Sequence, residues 1–473
     1  MNNLEKKQVY HELHRPQFHF TAKKDWINDP NGLVYYKGEY HLFFQHSPGF
    51  ILHAPNTWGH AISSNLVHWK QIDHAIKPDE YGYIWSGSAV VDWNNTSGLQ
   101  NGKESVIVAI YTTGGFGEKP NPCVQAIAYS NDSGRTFTKY PEPVLDNICA
   151  RNRDPKVIWH KQSVQWIMAL YLEGDNFTIL GSKDLKNWNR LCDVELGGTG
   201  ECPDLFELPV DGDPTDTRWV LWGAVGTYRI GKFDGNIFIP ETGTIKAEFG
   251  PNGYAGQTWS DVPTEDGRII QISWMKNGTY PYMPFNQQMT FPVELSLVNT
   301  SEGIRLFRKP VRELRKLYNL EHKWRDYTLM SGYNRREVFI RYGPTWQDNL
   351  PKVISNIIVE TNWDLFEILV EIEFIDATTF GAIIHGNHLC YEIENKKFTY
   401  LEKEIPVEPE NRRLRFQILV DRTSLELFVL GGKVSASFCF LPRPHDTPLE
   451  FYATNGNVRI VSLTIHELAS VWD

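Results

Sequence analysis

The sequence lacks any long apolar run. No stretch of about 18 consecutive apolar residues occurs, which is the length that a membrane-spanning helix needs. The first seven residues contain no apolar core of a secretory signal. We therefore expect no membrane partner and a cytoplasmic location, although a secreted chain whose leader had been removed would look the same.

Clustered cysteines and an excess of positive charge are also missing. The six cysteines include no Cys-x-x-Cys pair, and no histidines have the spacing of a zinc site. The sequence therefore predicts neither a disulfide framework nor a metal site, and it contains no cofactor motif. The formal net charge of −10 argues against nucleic acid as a partner. We therefore expect a small-molecule ligand as the partner. The oligomeric state stays open, and a homo-oligomer is possible.

Helical periodicity is nearly absent before residue 300. Short runs rich in β-branched and aromatic residues alternate with turns, as in Val106–Tyr111 and Trp166–Tyr171. Similar segment starts recur at residues 29, 86, 154, 202 and 256. Five units of this length, each with about four strands, predict a five-bladed β-propeller, with an irregular all-β sandwich as the alternative.

A polar turn that ends in an aromatic residue also repeats. Ser63–Trp69 resembles Ser182–Trp188, and Ser130–Phe137 is a looser copy. A motif that returns in successive units is typical of one supersecondary element used several times.

The chain changes character after residue 305, and its 473 residues are too many for one ordinary core. Val311, Leu314 and Leu317 recur at helical spacing, which predicts a linker helix over 306–322. The propeller is then expected over 1–305.

The remainder, 323–473, is predicted to form a C-terminal β-sandwich. Phe366–Phe374 and Leu414–Val420 alternate apolar and polar residues on a two-residue period. Half-buried antiparallel strands have this pattern.

One acid near the start of the chain stands in a distinctive setting. Trp26–Gly32 reads Trp-Ile-Asn-Asp-Pro-Asn-Gly and places Asp29 just before a proline. Asn31-Gly32 is a turn signal followed by apolar residues, so we expect a turn and then a buried hairpin with Asp29 at its mouth. Taken alone, Asp29 is more simply an Asx turn that starts a strand.

An acid just before a proline returns at Arg153-Asp154-Pro155 and, with one residue between them, at Glu201-Cys202-Pro203. The first strand of each propeller blade lines the central channel, so we expect these carboxyls and Asp29 to meet in one axial pocket. Like charges at close range raise one pKa, which lets one carboxyl act as a general acid while its neighbour stays ionised. Glycoside hydrolysis requires at least two such carboxyl groups, one on each side of the glycosidic bond.

An ordered set of blocks resembles glycoside hydrolase family 32, the family of invertases, inulinases and levanases. The blocks are Trp26–Gly32, Phe44-Gln45, Trp58–Ala61, Trp85–Ala89, Arg153–Pro155, Glu201–Asp204 and, in the second domain, Leu419–Phe428. The resemblance covers nearly the whole chain. It implies a five-bladed propeller followed by a sandwich, and a retaining, exo-acting β-fructofuranosidase that hydrolyses sucrose or fructans through a covalent fructosyl-enzyme.

The resemblance also implies a role for each acid. Asp29 would be the nucleophile, Glu201 the general acid/base and Asp154 the transition-state stabiliser. Substrate-binding residues would be Asn28, Gln45, Trp58, Trp85, Ser86, Arg153, Tyr254 and Trp274. Of these, Trp85, Tyr254 and Trp274 could equally be core aromatics.

Three features depart from the family pattern. The loop Gly49–Thr57 lacks the usual Trp-Gly-Asn-Met-like sequence, Gly256 stands where Pro or Ala is more usual, and Val293 stands where Arg is usual. The loop should border the pocket, so the leaving-group preference stays open. Two other functions remain as alternatives: a fructosyltransferase that uses the same site, and a carbohydrate-binding propeller without catalysis, which would predict the loss of at least one acid.

Overall fold

The computed structural model describes nearly all of the chain and divides into two compact units. The described residues are 9–52, 56–115, 121–198, 200–331, 339–340, 353–354, 356–359, 364–443 and 449–472. One unit contains residues 19–248 and 253–313. The other contains residues 249–252 together with the described parts of 1–18 and 314–473.

The first unit begins with three antiparallel sheets of consecutive strands. The first sheet contains β1 (Asp25–Tyr36), β2 (Glu39–Ser47), β3 (Thr57–Ser63) and β4 (Lys70–Ile76). The second contains β5 (Tyr83–Asp92), β6 (Val106–Gly115), β7 (Asn121–Ser130) and β8 (Thr138–Lys139). The third contains β9 (Arg153–His160), β10 (Gln165–Glu173), β11 (Asn176–Ser182) and β12 (Trp188–Glu195).

Two further blades follow and share one sheet through a single parallel bridge, Val210 to Leu297. The fourth blade contains β13 (Asp204–Val210), β14 (Asp213–Trp222), β15 (Thr227–Phe233), β16 (Phe238–Pro240) and β17 (Ile245–Lys246). The fifth contains β18 (Gly253–Thr258), β19 (Ile269–Met275), β21 (Gln288–Met289), β22 (Val293–Thr300) and β23 (Gly303–Pro310). The short strand β20 (Phe285–Asn286) leaves the fifth blade and pairs with β1.

The innermost strands of the five blades form a closed ring. In chain order β1, β5, β9, β13 and β18 each contact the next, and β18 contacts β1 again. The β20–β1 pairing adds hydrogen bonds at this closure. This ring confirms the predicted five-bladed propeller, with its inner strands around one axis.

The repeated polar turn is the connection from the third to the fourth strand of a blade. In each copy an Asx side chain, Asn65, Asp132 or Asp184, accepts hydrogen bonds from backbone N–H groups two to four residues ahead. In two copies the closing indole, Trp69 or Trp188, donates to a backbone carbonyl three residues back. The repeat found in the sequence is therefore a capped turn that each of these blades reuses.

The second unit contains two seven-stranded sheets. Its strands are β24 (Tyr318–Met330), β25 (Phe339–Ile340), β26 (Val353–Ile354), β27 (Asn356–Val359), β28 (Phe366–Phe374), β29 (Thr379–Ile384), β30 (Asn387–Glu392), β31 (Lys397–Tyr400), β32 (Lys403–Pro406), β33 (Arg413–Asp421), β34 (Ser424–Val429), β35 (Val434–Cys439), β36 (Leu449–Thr454) and β37 (Asn457–Leu468). The alternating apolar residues of β28 are all buried in one core with side chains of both sheets. The predicted β-sandwich is thus confirmed.

The predicted linker helix over 306–322 is wrong in extent and type. β23 runs to Pro310, a 3₁₀ helix covers only Arg312–Leu317, and β24 starts at Tyr318. Val311, Leu314 and Leu317 are buried at a spacing of three residues, which is the period of a 3₁₀ helix rather than of an α-helix. The only other helix that the described residues form is a 3₁₀ turn, Leu430–Gly432, between β34 and β35.

The predicted turn at Asn31-Gly32 is also wrong. β1 continues from Asp25 to Tyr36 through this stretch, with irregular pairing on either side of Pro30 and Asn31. Gly32 has φ of +54°, and a Cβ there would lie 2.6 Å from the Phe43 ring. A glycine is required by a strand irregularity and a close aromatic contact, not by a turn.

No helix in the described ranges is long and apolar enough to cross a membrane.

Candidate active site

Five of the predicted site residues, Asn28, Asp29, Trp85, Ser86 and Asp154, lie in bulges of the inner strands. In four blades the pairing shifts so that two inner-strand residues face one residue of the next strand: Asn28-Asp29 face Gln45, Trp85-Ser86 face Thr112, Asp154-Pro155 face Leu170, and Ala255-Gly256 face Ser273. A bulge bends the strand and turns a side chain out of the regular alternation. The bulges near the starts of the inner strands therefore bring several polar side chains together at one end of the propeller axis.

Asp29 is held by Ser86 of the neighbouring blade. The Ser86 hydroxyl donates a 2.6 Å hydrogen bond to Asp29 Oδ2. Burial raises the pKa of Asp29 to about 6, while the hydrogen bond from Ser86 opposes this rise and the charge of Glu201 adds to it. Near neutral pH the carboxylate form of Asp29 therefore predominates, with one oxygen fixed by Ser86.

Asp154 is more deeply buried, with only 7% of its surface exposed. Its backbone N–H donates to Thr112 Oγ1 at 2.9 Å, and its φ of +63° lies in the left-handed region. Such a backbone is strained for a residue with a Cβ and persists where its surroundings hold it. Burial raises the pKa of Asp154 to about 7, against the opposing effect of Arg153, whose Nε lies 3.6 Å from Asp154 Oδ2.

Glu201 lies just before β13 and is held from two sides. The Arg153 guanidinium pairs with Glu201 Oε1, and the Tyr254 hydroxyl donates to Glu201 Oε2 at 2.9 Å. Arg153 itself lies over the Tyr171 ring, 4.6 Å from its centroid. Residues of the third and fifth blades thus fix the position of the Glu201 carboxyl group, which is 36% exposed.

Cys202 lies among the acids, and sequence reasoning gave it no role. Its sulfur is 3.6 Å from Asp29 Oδ2 and 3.5 Å from Asp154 Oδ2. Burial raises the pKa of this thiol, and the neighbouring carboxylates raise it further. The group at the centre of the acids is therefore a neutral S–H, which is a weak donor.

An aromatic wall carries a lysine that sequence reasoning also missed. Trp274 contacts both Trp26 and Tyr254 edge to face, with ring centroids 6.2 and 6.0 Å apart. Lys276 Nζ lies 3.7 Å from the centroid of Tyr254, and burial lowers the pKa of this lysine. Lys276 directly follows β19, which ends at Met275, and lies two residues after Trp274. The two-residue period of extended chain is a signal that could have related the two side chains.

The predicted polar residues Asn28 and Gln45 have buried oxygens next to Asp29. Asn28 also hydrogen bonds to Asp29 through its side chain. Within the described part of the chain, neither Asn28 Oδ1 nor Gln45 Oε1 has a hydrogen-bond partner. The buried Asn31 orients Gln45 when its amide is turned so that the oxygen faces Gln45, since the oxygen then accepts from Gln45 N at 3.1 Å and from Gln45 Nε2 at 3.0 Å. Two unsatisfied acceptors in a polar pocket suit a ligand rich in hydroxyl groups.

The three remaining predicted residues are aromatic. Trp58 is fully buried, and its Nε1 donates to the Trp85 carbonyl at 2.9 Å, so it supports the backbone beside Ser86. Trp85 is partly exposed and donates to the Gly114 carbonyl at 2.8 Å. Trp274 is also partly exposed, and its Nε1 donates to Gln287.

The atypical loop after β2 is joined to the aromatic wall. Trp26 N–H donates to the Phe50 carbonyl at 2.7 Å, and Asn286 Nδ2 donates to the Ile51 carbonyl at 2.8 Å. The side chains of Phe50, Ile51 and Leu52 are 52%, 53% and 69% exposed. Residues 53–55 of this loop lie outside the described residues.

The other two departures from the family pattern, Gly256 and Val293, lie at closely packed positions. A Cβ on Gly256 would lie 2.8 Å from Ser273 Oγ and 3.1 Å from Trp222 Nε1, so a larger residue would require its neighbours to shift. Val293 is 1% exposed in β22. Across the described ranges, no group of three or more His, Cys, Asp or Glu side chains is placed to hold a metal ion.

Comparison with known sequences places this site in a family. The family described as "Glycosyl hydrolases family 32 N-terminal domain" matches residues 19–310, and "Glycosyl hydrolases family 32 C terminal" matches residues 372–467. A levanase of Bacillus subtilis (strain 168) is 38% identical over 494 residues, covering 98% of this chain and 72% of the levanase.

Two solved structures resemble the whole chain. An exo-inulinase from Aspergillus awamori aligns with a TM-score of 0.85 at 26% identity, covering 98% of this chain and all of that one. A β-fructofuranosidase from Schwanniomyces occidentalis, complexed with fructosyl-erythritol, aligns with a TM-score of 0.83 at 27% identity, covering 98% and 99% of the two chains.

Proposed function

Because the chain belongs to glycoside hydrolase family 32, we propose that it is a retaining, exo-acting β-fructofuranosidase that hydrolyses terminal β-D-fructofuranosyl residues of sucrose and fructans. One observation carries the proposal. A carboxylate fixed by a serine hydroxyl, Asp29, shares a pocket with a partly exposed carboxyl, Glu201, that a guanidinium and a phenol hold in position. A nucleophile and a general acid on opposite sides of a scissile bond are what retention requires.

In the first step Asp29 attacks the anomeric C2 of the terminal fructosyl unit. An Asp29 Oδ–C2 bond forms as the bond from C2 to the glycosidic oxygen breaks, and Glu201 gives its proton to the departing oxygen. In the second step Glu201 takes a proton from water, the water oxygen bonds to C2, and the Asp29 carboxylate leaves. Two displacements at C2 retain its configuration.

Asp154 and Arg153 stabilise the charged transition state from the sugar side. Asp154 accepts hydrogen bonds from fructosyl hydroxyls, and these bonds strengthen as positive charge grows on the ring. Arg153 limits the repulsion among the acids because it lies within 3.6 Å of Asp154 and pairs with Glu201. Asn28 and Gln45 offer buried acceptors to the same hydroxyls.

The leaving-group side is formed by the aromatic wall and the exposed loop. Phe50, Ile51 and Leu52 present apolar side chains where the common family loop has a different sequence. An apolar surface of this kind can pack against the C–H faces of a fructan chain but offers few hydrogen bonds to the glucosyl leaving group of sucrose. We infer that turnover of short fructans exceeds that of sucrose.

A substrate panel tests the proposal. Sucrose, 1-kestose, inulin and levan are incubated with the enzyme, products are separated by chromatography, and the anomer released first is identified by NMR. The proposal predicts free fructose as the main product and β-fructofuranose as the first anomer. Growth of longer oligosaccharides at high sucrose would identify a fructosyltransferase, and no turnover of any substrate would identify a binding propeller.

A further inference from the structure

A second cavity lies at the opposite end of the propeller channel. It has a volume of about 690 Å³, and we call it the rear cavity. Its walls include Tyr36 at the end of β1, His160 at the end of β9 and Thr258 at the end of β18. Asp29 and Asp154 lie at the other ends of those inner strands. Six residues of extended strand separate Asp154 from His160, a length of about 20 Å.

A buried ion pair lies between the residues of the acid pocket and those of the rear cavity. Lys156 Nζ lies 3.2 Å from Asp204 Oδ1 and donates to the Thr258 carbonyl at 2.7 Å. Lys156, Asp204 and Thr258 are each no more than 3% exposed. Three blades contribute one residue each to this layer, and the rear cavity shares no lining residue with the small cavity between Ser86, Asp154 and Cys202. The rear cavity is therefore distinct from the acid pocket.

The rear cavity has an exposed indole whose orientation is fixed. Trp93 is 58% exposed, although its Nε1 donates to Asp261 Oδ1 at 2.8 Å. The other Asp261 oxygen accepts from Val91 N–H at 2.9 Å. The ring of Tyr36 lies 5.7 Å from that of Trp93. An exposed tryptophan whose only donor is already bonded offers a rigid flat face.

Polar groups line the same space without forming a single-sign charge cluster. The Ser260 hydroxyl oxygen is buried and has no hydrogen-bond partner among the described residues, while its backbone is held by Leu33 and Tyr35. The walls contain charges of both signs: the carboxylates of Glu207, Asp261 and Glu265, and the lysines Lys37, Lys156 and Lys161. Lys156 pairs with Asp204 and Lys37 pairs with Glu104. The wall therefore lacks the basic cluster that an anion site needs, whereas hydroxyl groups find acceptors and a donor.

We propose that the rear cavity is a non-catalytic binding site for a short neutral oligosaccharide. Aromatic faces stack on the apolar C–H faces of sugar rings, and carboxylate and serine oxygens accept their hydroxyls. The cavity volume is within the range of about 300–1,000 Å³ that is usual for small-molecule sites. A sugar held there would keep a polymer segment on the enzyme without entering the acid pocket.

The experiment uses the full chain with Glu201→Ala, so that the sugar is not consumed, and follows 1-kestose binding by calorimetry. The proposal predicts two classes of site. Adding Trp93→Ala should lower the affinity for 1-kestose at only one of the two classes, by about tenfold or more. Trp93→Ala alone should leave kcat/KM for sucrose unchanged. Ile239→Ala, which removes an exposed side chain outside the cavity (61% exposed), is the matched control and should change neither class.

A second measurement does not depend on the folding of Trp93→Ala. The Glu201→Ala protein is labelled with 5-fluorotryptophan, and the ¹⁹F resonance of Trp93 is assigned with Trp93→Phe. 1-Kestose should shift this resonance, and inorganic phosphate should not. A single class of kestose site together with an unmoved Trp93 resonance, or a shift caused by phosphate and not by kestose, would overturn the proposal.

Discussion

The backbone N–H of Cys202 donates a hydrogen bond to Asp154 Oδ2 at 3.2 Å, and the Cys202 thiol lies 3.5 Å from the same oxygen. The residue that follows Glu201, the proposed general acid, thus supports Asp154, the proposed transition-state stabiliser, in the neighbouring blade. Cys202 has a φ of +47°, and Asp154 also has a positive φ. Both strained backbones occur at the point where two blades present their acids to one substrate.

Replacing Cys202 by alanine tests this link. The variant keeps the backbone N–H bond to Asp154 but loses the thiol donor near Asp29 and Asp154. We expect the pKa of Asp29 to rise further, because one group that favours its charged form is gone. The acid limb of kcat/KM against pH should move upward, with a loss in kcat of about 3–10-fold. Cys192→Ala, in the outer strand β12, is the matched control. An unchanged acid limb in Cys202→Ala would contradict the role given to the thiol.

Ser86→Ala should shift the acid limb of the kcat/KM profile against pH more strongly than Cys202→Ala does. The lost hydroxyl is the side-chain donor at 2.6 Å from Asp29 Oδ2, so the carboxylate is less stabilised and its pKa rises above about 6. A shift of about one pH unit is expected in the acid limb of kcat/KM.

Ser88→Ala is the control for Ser86→Ala. Its hydroxyl bonds to the backbone of Pro155 and Val157 at 2.9 Å, in the same strand but away from Asp29. It should lower the unfolding midpoint and leave the acid limb where it is. Equal shifts in the two variants would mean that Ser86 acts only through the fold.

The buried acids should make the folded chain less stable at high pH. A carboxyl whose pKa is higher in the folded than in the unfolded chain binds its proton more tightly when folded, so its stabilising contribution is complete below about pH 4. That contribution is lost as the pH rises through about 6 for Asp29 and about 7 for Asp154. Asp154→Asn should therefore raise the free energy of unfolding at pH 8 by about 2–4 kcal/mol, and by much less at pH 5.

Urea unfolding at the two pH values measures this difference. Asp73→Asn, at an exposed position in β4, should alter stability equally at both. Destabilisation of Asp154→Asn at pH 8 would show that Asp154 is stabilising in its charged form.

Tyr254→Phe should impair proton donation to the leaving group. The lost hydroxyl fixes Glu201 Oε2 at 2.9 Å. Turnover of sucrose, whose leaving oxygen needs a proton, should fall by about tenfold or more, while β-D-fructofuranosyl fluoride, whose fluoride leaves unaided, should lose less. Tyr171→Phe keeps the ring beneath Arg153 and should affect the two substrates equally. Equal losses for both substrates in Tyr254→Phe would assign Tyr254 to substrate binding alone.

The sequence predicted the repeat and the acids because both are local signals. An acid next to a proline and a polar turn closed by an aromatic residue are visible within a few residues. The bulges at Asn28-Asp29 and Trp85-Ser86 were not visible, since they depend on the register between strands. For the same reason Cys202 was missed: its sulfur meets Asp29 only when the first and fourth blades close on one axis.

The two structural errors have local causes as well. Asn31-Gly32 has the composition of a turn, but Gly32 is needed because Phe43 leaves no room for a side chain. The spacing of Val311, Leu314 and Leu317 fits both an α-helix and a 3₁₀ helix over so few residues. Neither ambiguity could be settled without the tertiary contacts.

A trapping experiment can detect the proposed covalent bond between Asp29 and fructose. Glu201→Gln is mixed with β-D-fructofuranosyl fluoride, which needs no acid to form the intermediate but needs a base to hydrolyse it. The protein is then quenched in acid, digested and analysed by mass spectrometry. We expect a peptide heavier by one fructosyl unit, with the modification on Asp29. A fructosyl group on another residue, or steady hydrolysis with inversion at C2 and no adduct, would contradict this expectation.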